Sequence, residues 1–141
     1  MRLLSQNTKV QALGRAPLFE GLSKKDLVEL ARQTEDLDLP QGTVLCKEGE
    51  VGREFFVLVE GEAEVRKRGR KVATLGPGEM IGEIALVEHT RRTATVTAKT
   101  PVRCFVMTSQ SFWAALDRHP QVERKVLRTL AKRVLQDSSR A

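Results

Sequence analysis

The chain has 141 residues, enough for one compact domain with a substantial hydrophobic core. Apolar residues make up 40% of the chain and are spread along its length, which excludes wholesale disorder. The formal net charge of +6 allows an anionic partner without specifying one.

The first clear structural signal along the chain is a helix start. Ser23 is followed three residues later by Asp26, the pattern of an N-terminal helix cap. One apolar face then follows at Leu27, Leu30 and Ala31. We therefore predict a short helix that begins after Ser23 and ends near Gln33.

The middle of the chain contains short β-branched or aromatic runs separated by glycines, which suit turns with positive φ. Many short strands at even spacing indicate an antiparallel sandwich or jelly roll. A basic run at residues 66–71 is predicted to form a hairpin tip. Strands are predicted at residues 44–46, 55–59, 63–65, 72–75, 93–98 and 102–108.

Helical periodicity returns after residue 108. A first helix is predicted around the apolar positions Phe112, Ala115 and Leu116. The pair His119-Pro120 predicts a break, because proline disfavours helix in the preceding residue and suits the first turn of the next helix. The second helix has an apolar stripe at Val122, Val126, Leu130 and Val134, widened by Leu127 and Ala131.

The stretch GEIALVEHTRRTATV, residues 82–96, carries the functional signal. A glycine before a short helix lets a ligand approach the backbone, where the free N–H groups of the first turn attract anions. Arg92 adds a planar cation that matches phosphate oxygens. A phosphate would repel Glu83, so this carboxylate is expected to accept a hydrogen bond from a hydroxyl instead. A phosphate and a hydroxyl in one pocket indicate a ribose phosphate.

This stretch resembles the phosphate-binding cassette of cyclic-nucleotide-binding domains. Those domains occur in cyclic-AMP-dependent kinase regulatory subunits, cyclic-nucleotide-regulated channels and the bacterial catabolite activator. The resemblance extends from about Ala16 to Leu135 without a large gap. It includes FEGLS at residues 19–23, EGEVG at 48–52, VLVEG at 57–61 and LGPGE at 75–79.

The resemblance implies a mainly β fold, an eight-stranded antiparallel jelly-roll β-barrel with short N-terminal helices and two C-terminal helices. It implies three parts: an N-terminal helical segment (residues 1–15), the binding domain (16–135) and a tail (136–141). It also implies a ligand site at Gly82, Glu83, Ile84, Ala85, Leu86, Arg92 and Thr93. In that site Glu83 would bind the ribose 2′-hydroxyl, while Arg92 and the backbone amides of residues 84–86 would bind the cyclic phosphate.

The ligand implied by the resemblance is cyclic AMP, with cyclic GMP as an alternative, because Thr93 occurs in domains of both preferences. The last helix would swing inward at the His119-Pro120 break and cover the purine, with Leu130, Arg133 and Val134 as the lid candidates. Val59 and Val72 either line the base pocket or fill the core, and we expect core. The family often has an aromatic residue and a proline where this chain has Ile81 and Arg91.

The expected function is a non-catalytic sensor that signals to an effector not identified by the sequence. One alternative is the sensor half of a catabolite-activator-like transcription regulator, and another is a nucleotide-free scaffold. No direct DNA binding is expected from this chain. The hairpin lacks aromatic residues for base stacking, and we expect it to be solvated.

We expect no enzyme activity, no cofactor and no metal site. The isolated histidines His89 and His119 lack the carboxylates of a metal triad. Cys46 and Cys104 lack ligand spacing and are expected to be buried free thiols. Without a leader or a long apolar run in the sequence, a cytoplasmic protein with no membrane span is expected.

Overall fold

A computed structural model describes residues 4–139 of the chain, and the side chains of residues 4–136. These residues form eight β-strands, four α-helices and two short 3₁₀ turns. They divide into two compact units. The β unit consists of residues 34–109, and the helical unit consists of residues 4–33 and 110–139.

The β unit contains two four-stranded antiparallel sheets. One sheet has the strand order β1-β8-β3-β6 and the other β2-β7-β4-β5. The mainly β prediction is confirmed, and six strands overlap predicted runs. The strands are β1 (Glu35–Leu39), β2 (Val44–Cys46), β3 (Glu54–Glu60), β4 (Ala63–Lys67), β5 (Arg70–Leu75), β6 (Met80–Ile81), β7 (Thr95–Ala98) and β8 (Val102–Thr108).

The predicted closed barrel is not formed. Within the described chain, no hydrogen-bonded ladder joins the edge strands of one sheet to those of the other. The apolar core draws instead on alternate residues of both sheets, as in a two-layer β structure. Its members include Leu45, Phe56, Leu58, Ile81, Val96, Ala98, Cys104 and Val106.

Both cysteines are free and buried, as predicted. Burial raises the pKa of the Cys104 thiol to about 11, and the negative charge of Asp38 acts in the same direction. Burial also raises the pKa of the Cys46 thiol. The thiolate is the reactive form of cysteine, so neither side chain is activated for chemistry at neutral pH.

The predicted hairpin at residues 66–71 is confirmed, since β4 and β5 pair there with Lys67 opposite Arg70. Its two turn residues both have positive φ, 52° at Arg68 and 79° at Gly69, which fits the right-handed twist of a tight hairpin. Arg66 binds the Glu64 carboxylate and donates to the Gly69 carbonyl. The basic hairpin is therefore held by its own hydrogen bonds and is exposed to solvent.

The helical unit contains α1 (Gln6–Leu13), a 3₁₀ turn (Pro17–Phe19), α2 (Lys24–Ala31), most of α3 (Ser109–Arg118) and α4 (Pro120–Ser139). The start of α2 is as predicted: the Asp26 N–H donates to Ser23 Oγ and the Ser23 N–H donates to the Asp26 carboxylate. The break between α3 and α4 at His119 is also confirmed. Among the described residues, no helix combines the length and apolar character of a membrane span.

The apolar stripe predicted on α4 is buried only in the first half of the helix, and even there Leu127, predicted to widen the stripe, is 54% exposed. Val122, Val126 and Thr129 are buried, and Leu130 is half-buried. Beyond them the stripe is open to solvent, with Val134 64% exposed and Leu135 69% exposed. Residues 136–139, assigned to the tail, continue the helix, while residues 140 and 141 lie outside the described chain.

Two polar contacts explain why the first half of α4 is fixed within the helical unit. Lys125 Nζ lies 2.6 Å from the carboxylate of Asp26, which is almost fully buried. One turn further on, the Thr129 hydroxyl donates to the Glu20 carbonyl over 3.0 Å. The helix is therefore held by residues 122–129, and its later apolar residues remain available for another contact.

Candidate functional site

The cassette segment follows β6 and starts with a change of backbone direction. Gly82 has a φ of 75°, a left-handed conformation that favours glycine. A single 3₁₀ turn, Glu83–Leu86, comes next. Leu86 and Ala85 are buried, and the Ala85 N–H donates to the Gly82 carbonyl over 3.0 Å. Burial and this hydrogen bond fix the turn beside the point where Arg92 returns to it.

Arg92 is the half-buried cation of this site. Its Nη2 donates to the Glu54 carbonyl over 2.8 Å. Its main chain is hydrogen-bonded to the loop that contains Gly49 and Glu50. The Arg92 N–H donates to the Glu50 carbonyl, and the Arg92 carbonyl accepts from the Gly49 N–H. The guanidinium also lies so close to Gly82 that a Cβ there would overlap Nη1. The side chain is thus oriented before any ligand arrives.

The neighbouring Arg91 has a different environment. Its side chain is exposed, and its Nη1 donates to the Gly49 carbonyl over 2.7 Å. Its main chain forms an isolated antiparallel bridge with Val51. Two adjacent arginines therefore have separate positions, and of the two only Arg92 lines the cavity described next.

A cavity of about 210 Å³ opens beside Arg92. Among the described residues that line it, Arg92 is the one with a charged side chain, and Thr93 supplies a hydroxyl. The remaining wall is glycine, sulfur and apolar carbon. Such a lining suits a ligand with one anionic end and one apolar part. The lining residues are Cys46, Val65, Leu75, Met80, Ile81, Gly82, Arg92, Thr93, Ala94 and Val96.

A larger cavity of about 430 Å³ lies elsewhere in the β unit, lined in part by Asp38, Glu60 and Arg103. Arg103 binds both carboxylates, at 3.4 Å from Asp38 and 3.2 Å from Glu60. Its guanidinium is already neutralised by these acids, so this cavity lacks a free cation for a phosphate. The smaller cavity is the better candidate because it contains the unneutralised arginine.

The structure brings together only some of the residues predicted for the site. Gly82, Arg92 and Thr93 line the cavity. Glu83 is half-buried at the start of the 3₁₀ turn, where Ile84 is largely exposed. The lid candidates all lie on α4: Leu130 and Arg133 are half-buried, and Val134 is exposed. The ligand roles of these residues remain predictions.

Two apolar positions considered for the base pocket are not part of it. Val72 is exposed on the edge strand β5, so it neither fills the core nor lines the cavity, and Val59 is half-buried. The apolar wall comes instead from Val65, Leu75 and Met80, on three different strands. Sequence reasoning missed these three residues because no single run places them together.

The two histidines have separate partners. His89 Nε2 lies 2.7 Å from the Ser109 hydroxyl within the β unit. His119 Nε2 lies 3.4 Å from the Glu29 carboxylate within the helical unit. Each imidazole therefore has a local structural contact.

Comparisons with known proteins find relatives among transcriptional regulators, potassium channels and cAMP-dependent protein kinase regulatory subunits. A CRP-like cAMP-activated global transcriptional regulator of Mycobacterium tuberculosis is 28% identical over 88% of this chain and 58% of its own length. A cyclic nucleotide-gated potassium channel of Rhizobium etli is 32% identical over 87% of this chain and 34% of its own length. The chain therefore spans little more than half the length of the regulator and about a third of the length of the channel.

Solved structures show the same fold. The N-terminal domain of a transcriptional regulator from Streptomyces coelicolor matches with a TM-score of 0.81 and 31% identity, over 91% of this chain and 95% of that one. The catabolite activator protein of Thermus thermophilus matches with a TM-score of 0.65 and 25% identity, over 89% of this chain and 61% of that one. The family model described as the cyclic nucleotide-binding domain matches residues 37–119. The chain belongs to the cyclic nucleotide-binding domain family.

Proposed function

We propose that this protein is a sensor that binds cyclic AMP, with cyclic GMP as the alternative ligand, and does not hydrolyse it. The observation that carries the proposal is the cavity beside Arg92, where one pre-oriented guanidinium borders an apolar wall. A cyclic nucleotide presents a matching pair of features, a singly charged phosphate and a flat base. Binding without hydrolysis is supported by the family, which is described as a binding domain.

The residue roles follow from the chemistry of the two ends of the cavity. Arg92 and the amides of the 3₁₀ turn would bind the cyclic phosphate, with the Ala85 N–H shared between the phosphate and the Gly82 carbonyl to which it already donates. Glu83 would accept a hydrogen bond from the ribose 2′-hydroxyl. Thr93 would add a hydroxyl near the phosphate and the base. Val65, Leu75 and Met80 would pack on the base.

The strand order supports a jelly roll for the β unit. β1 pairs with β8, β2 with β7, β3 with β6 and β4 with β5, so the pairings are nested around the β4–β5 hairpin. A jelly roll has this arrangement in two sheets of four strands. It brings β6 and β7, which flank the cassette in sequence, to the same cavity.

Cyclic nucleotides at saturating concentration are expected to raise the melting temperature. A ligand at one hundred times its dissociation constant stabilises the native state by about 2.7 kcal/mol. Thermal unfolding with cyclic AMP, with cyclic GMP and with 5′-AMP as the acyclic control measures this effect. Unchanged melting curves with both cyclic nucleotides at millimolar concentration would refute the sensor and favour the nucleotide-free scaffold.

We further propose that α4 transmits the signal by covering the base. The cavity volume is below the roughly 300–1,000 Å³ of typical small-molecule sites, so a nucleotide would leave part of its surface uncovered. The second half of α4 offers apolar side chains for that cover, among them Val134. Ligand can favour the covered state only by contacting it better than the open state.

Val134→Ser is expected to weaken cyclic AMP binding about threefold to tenfold, because an apolar contact made only in the covered state is lost. Leu135→Ser is the matched control, an equally exposed aliphatic residue one position further along α4. Calorimetric titration compares the two variants, and hydrogen exchange over residues 122–135 is expected to slow on ligand addition. Equal affinities for the two variants, with unchanged exchange, would refute the lid.

A second candidate is the sensor part of a transcription regulator. It is favoured by the likeness to the N-terminal domain of the Streptomyces coelicolor transcriptional regulator, 95% of which is covered. The ligand step would be the same, and only the effector would differ. DNA binding that depends on cyclic AMP would favour this candidate over a channel or kinase effector.

A further inference from the structure

Gly52 lies against the guanidinium of Arg92 in the same way as Gly82, on a different loop. A Cβ added at Gly52 would stand 2.6 Å from both Cζ and Nε of Arg92, and 2.9 Å from Nη1. Real Cβ atoms essentially never approach other heavy atoms so closely. The guanidinium therefore lies in a slot lined by the two glycines, Gly52 and Gly82, with the Glu54 carbonyl as its acceptor.

The two glycines are required for different reasons. Gly82 has a φ of 75°, so a side chain there strains the backbone and also overlaps the guanidinium. Gly52 is not among the residues with positive φ, so its φ does not itself require a glycine. The close approach of Arg92 is thus the structural reason for a glycine at position 52.

The backbone around Gly52 is held in place by hydrogen bonds to the segment that contains Arg92. Its N–H donates to the Thr90 carbonyl over 2.9 Å, and the adjacent Val51 forms a bridge with Arg91. One residue earlier, the Glu50 carbonyl accepts from the Arg92 N–H over 2.7 Å. These contacts fasten the two loops together, and the flexible Arg92 side chain is the part able to shift.

We propose that Gly52 is a positioning residue for phosphate recognition, because its missing side chain forms the slot that holds Arg92 toward the ligand cavity. This rests on the proposed binding of cyclic nucleotides. A methyl group at position 52 expels the guanidinium from the slot and breaks its bond to the Glu54 carbonyl. The fold tolerates this change, since only the end of one long side chain has to move, but the phosphate loses its oriented cation.

The test compares Gly52→Ala with Gly76→Ala, a glycine with ordinary φ and open space where a Cβ would stand. Gly52→Ala is expected to weaken cyclic AMP binding by at least about tenfold, on the scale of losing a close charge pair, with little change in the melting temperature of the free protein. Gly76→Ala is expected to bind like the parent chain. The affinity ratio between cyclic AMP and its 2′-deoxy analogue should be unchanged, because the ribose contact is untouched.

A double-mutant cycle separates this role from general damage to the pocket. In the Arg92→Ala background, Gly52→Ala is expected to cause no further loss of affinity, because the slot is already empty. An equal loss in both backgrounds would overturn the proposal, as would cyclic AMP binding that is unaffected by Gly52→Ala.

A readout that needs no nucleotide distinguishes failure of this proposal from failure of the sensor function. The Arg92 Nε–H resonance, assigned by its disappearance in Arg92→Ala, should show restricted motion in the parent chain and in Gly76→Ala. In Gly52→Ala it should show the fast motion of a free side chain. If Arg92 stays equally rigid in Gly52→Ala, the slot is not the constraint, whatever the ligand proves to be.

Discussion

Arg92→Ala is expected to weaken cyclic nucleotide binding by about 2–5 kcal/mol, or roughly 30-fold to several thousand-fold. The phosphate charge would then lie beside an apolar wall without the one cation of the cavity lining. Such a charge lacks both a partner and full hydration, which is the costly case. Calorimetric titration with cyclic AMP measures the loss directly.

Arg91→Ala is the matched control, since it removes the same charge from the adjacent position. Its guanidinium is exposed and bound to the Gly49 carbonyl, so we expect about threefold weaker binding at most, and less at high salt. Unfolding of the free proteins should be compared as well, because Arg92 also binds the Glu54 carbonyl. Equal losses of affinity for the two variants would contradict the assignment of Arg92 to the phosphate.

The distinction between the two arginines shows what a sequence pattern contains and what it lacks. Spacing within the cassette selected Arg92 as the family position, and the structure places Arg92 in the cavity lining. The groups that orient it, the Glu54 carbonyl and Gly52, are distant from it in sequence. Gly52 belongs to the EGEVG motif, but that motif does not indicate a contact with Arg92. Every residue type has a main-chain carbonyl, so the sequence does not show which carbonyl accepts a hydrogen bond from Arg92. A glycine near a turn is normally attributed to the backbone conformation of that turn.

The strands that escaped prediction are explained by their composition. β1 has acidic side chains at three of five positions, which is unusual for strands. β1 forms because Arg103 of its partner β8 lies opposite Asp38 and binds its carboxylate, which offsets part of the negative charge. Leu37 and Leu39 also pack on the core. β6 has only two residues, too few for any alternation to appear.

On α4 the apolar periodicity predicted the helix correctly but not the extent of its burial. A regular apolar stripe would pack equally well along its whole length, so periodicity cannot tell where the partner ends. The structure buries the stripe only as far as the contacts of Lys125 and Thr129 hold the helix. Polar side chains on the neighbouring face thus decide which apolar residues are covered.

The Asp26–Lys125 contact should dominate the pH dependence of the helical unit. Burial raises the pKa of Asp26, but hydrogen bonds from Lys125 and Ser23 and the charge of Lys125 outweigh burial, so the net pKa is lowered from 3.8. A carboxyl whose pKa is lower in the folded state stabilises the fold above its unfolded pKa. That contribution is lost as the pH falls below about 3.8 through the folded value.

Lys125→Met is expected to lower the free energy of unfolding at pH 7 by about 1.5–3 kcal/mol, the range for hydrogen bonds to charged groups. Methionine keeps the apolar stem of lysine, so the loss reports the ammonium group rather than packing. Burial is already the largest single influence on the pKa of Asp26, and without Lys125 only the hydrogen bonds from Ser23 oppose it, so the folded pKa should rise above the unfolded value. In that case the carboxyl takes up a proton on folding, and this variant should gain stability as the pH falls through the raised pKa.

Chemical denaturation between pH 3 and pH 8 therefore has an unambiguous expected outcome. The difference in free energy of unfolding between the parent chain and Lys125→Met should be largest near neutral pH and shrink in acid. The reason is that a protonated Asp26 carboxyl has no negative charge for the ammonium group of Lys125 to compensate. Lys132→Met, which removes the same charge from an exposed position of α4, should stay parallel to the parent chain across the range. A pH-independent loss in Lys125→Met would mean that the lysine stabilises α4 through its stem, and that the charge of Asp26 is compensated by the capping hydrogen bonds of Ser23 alone.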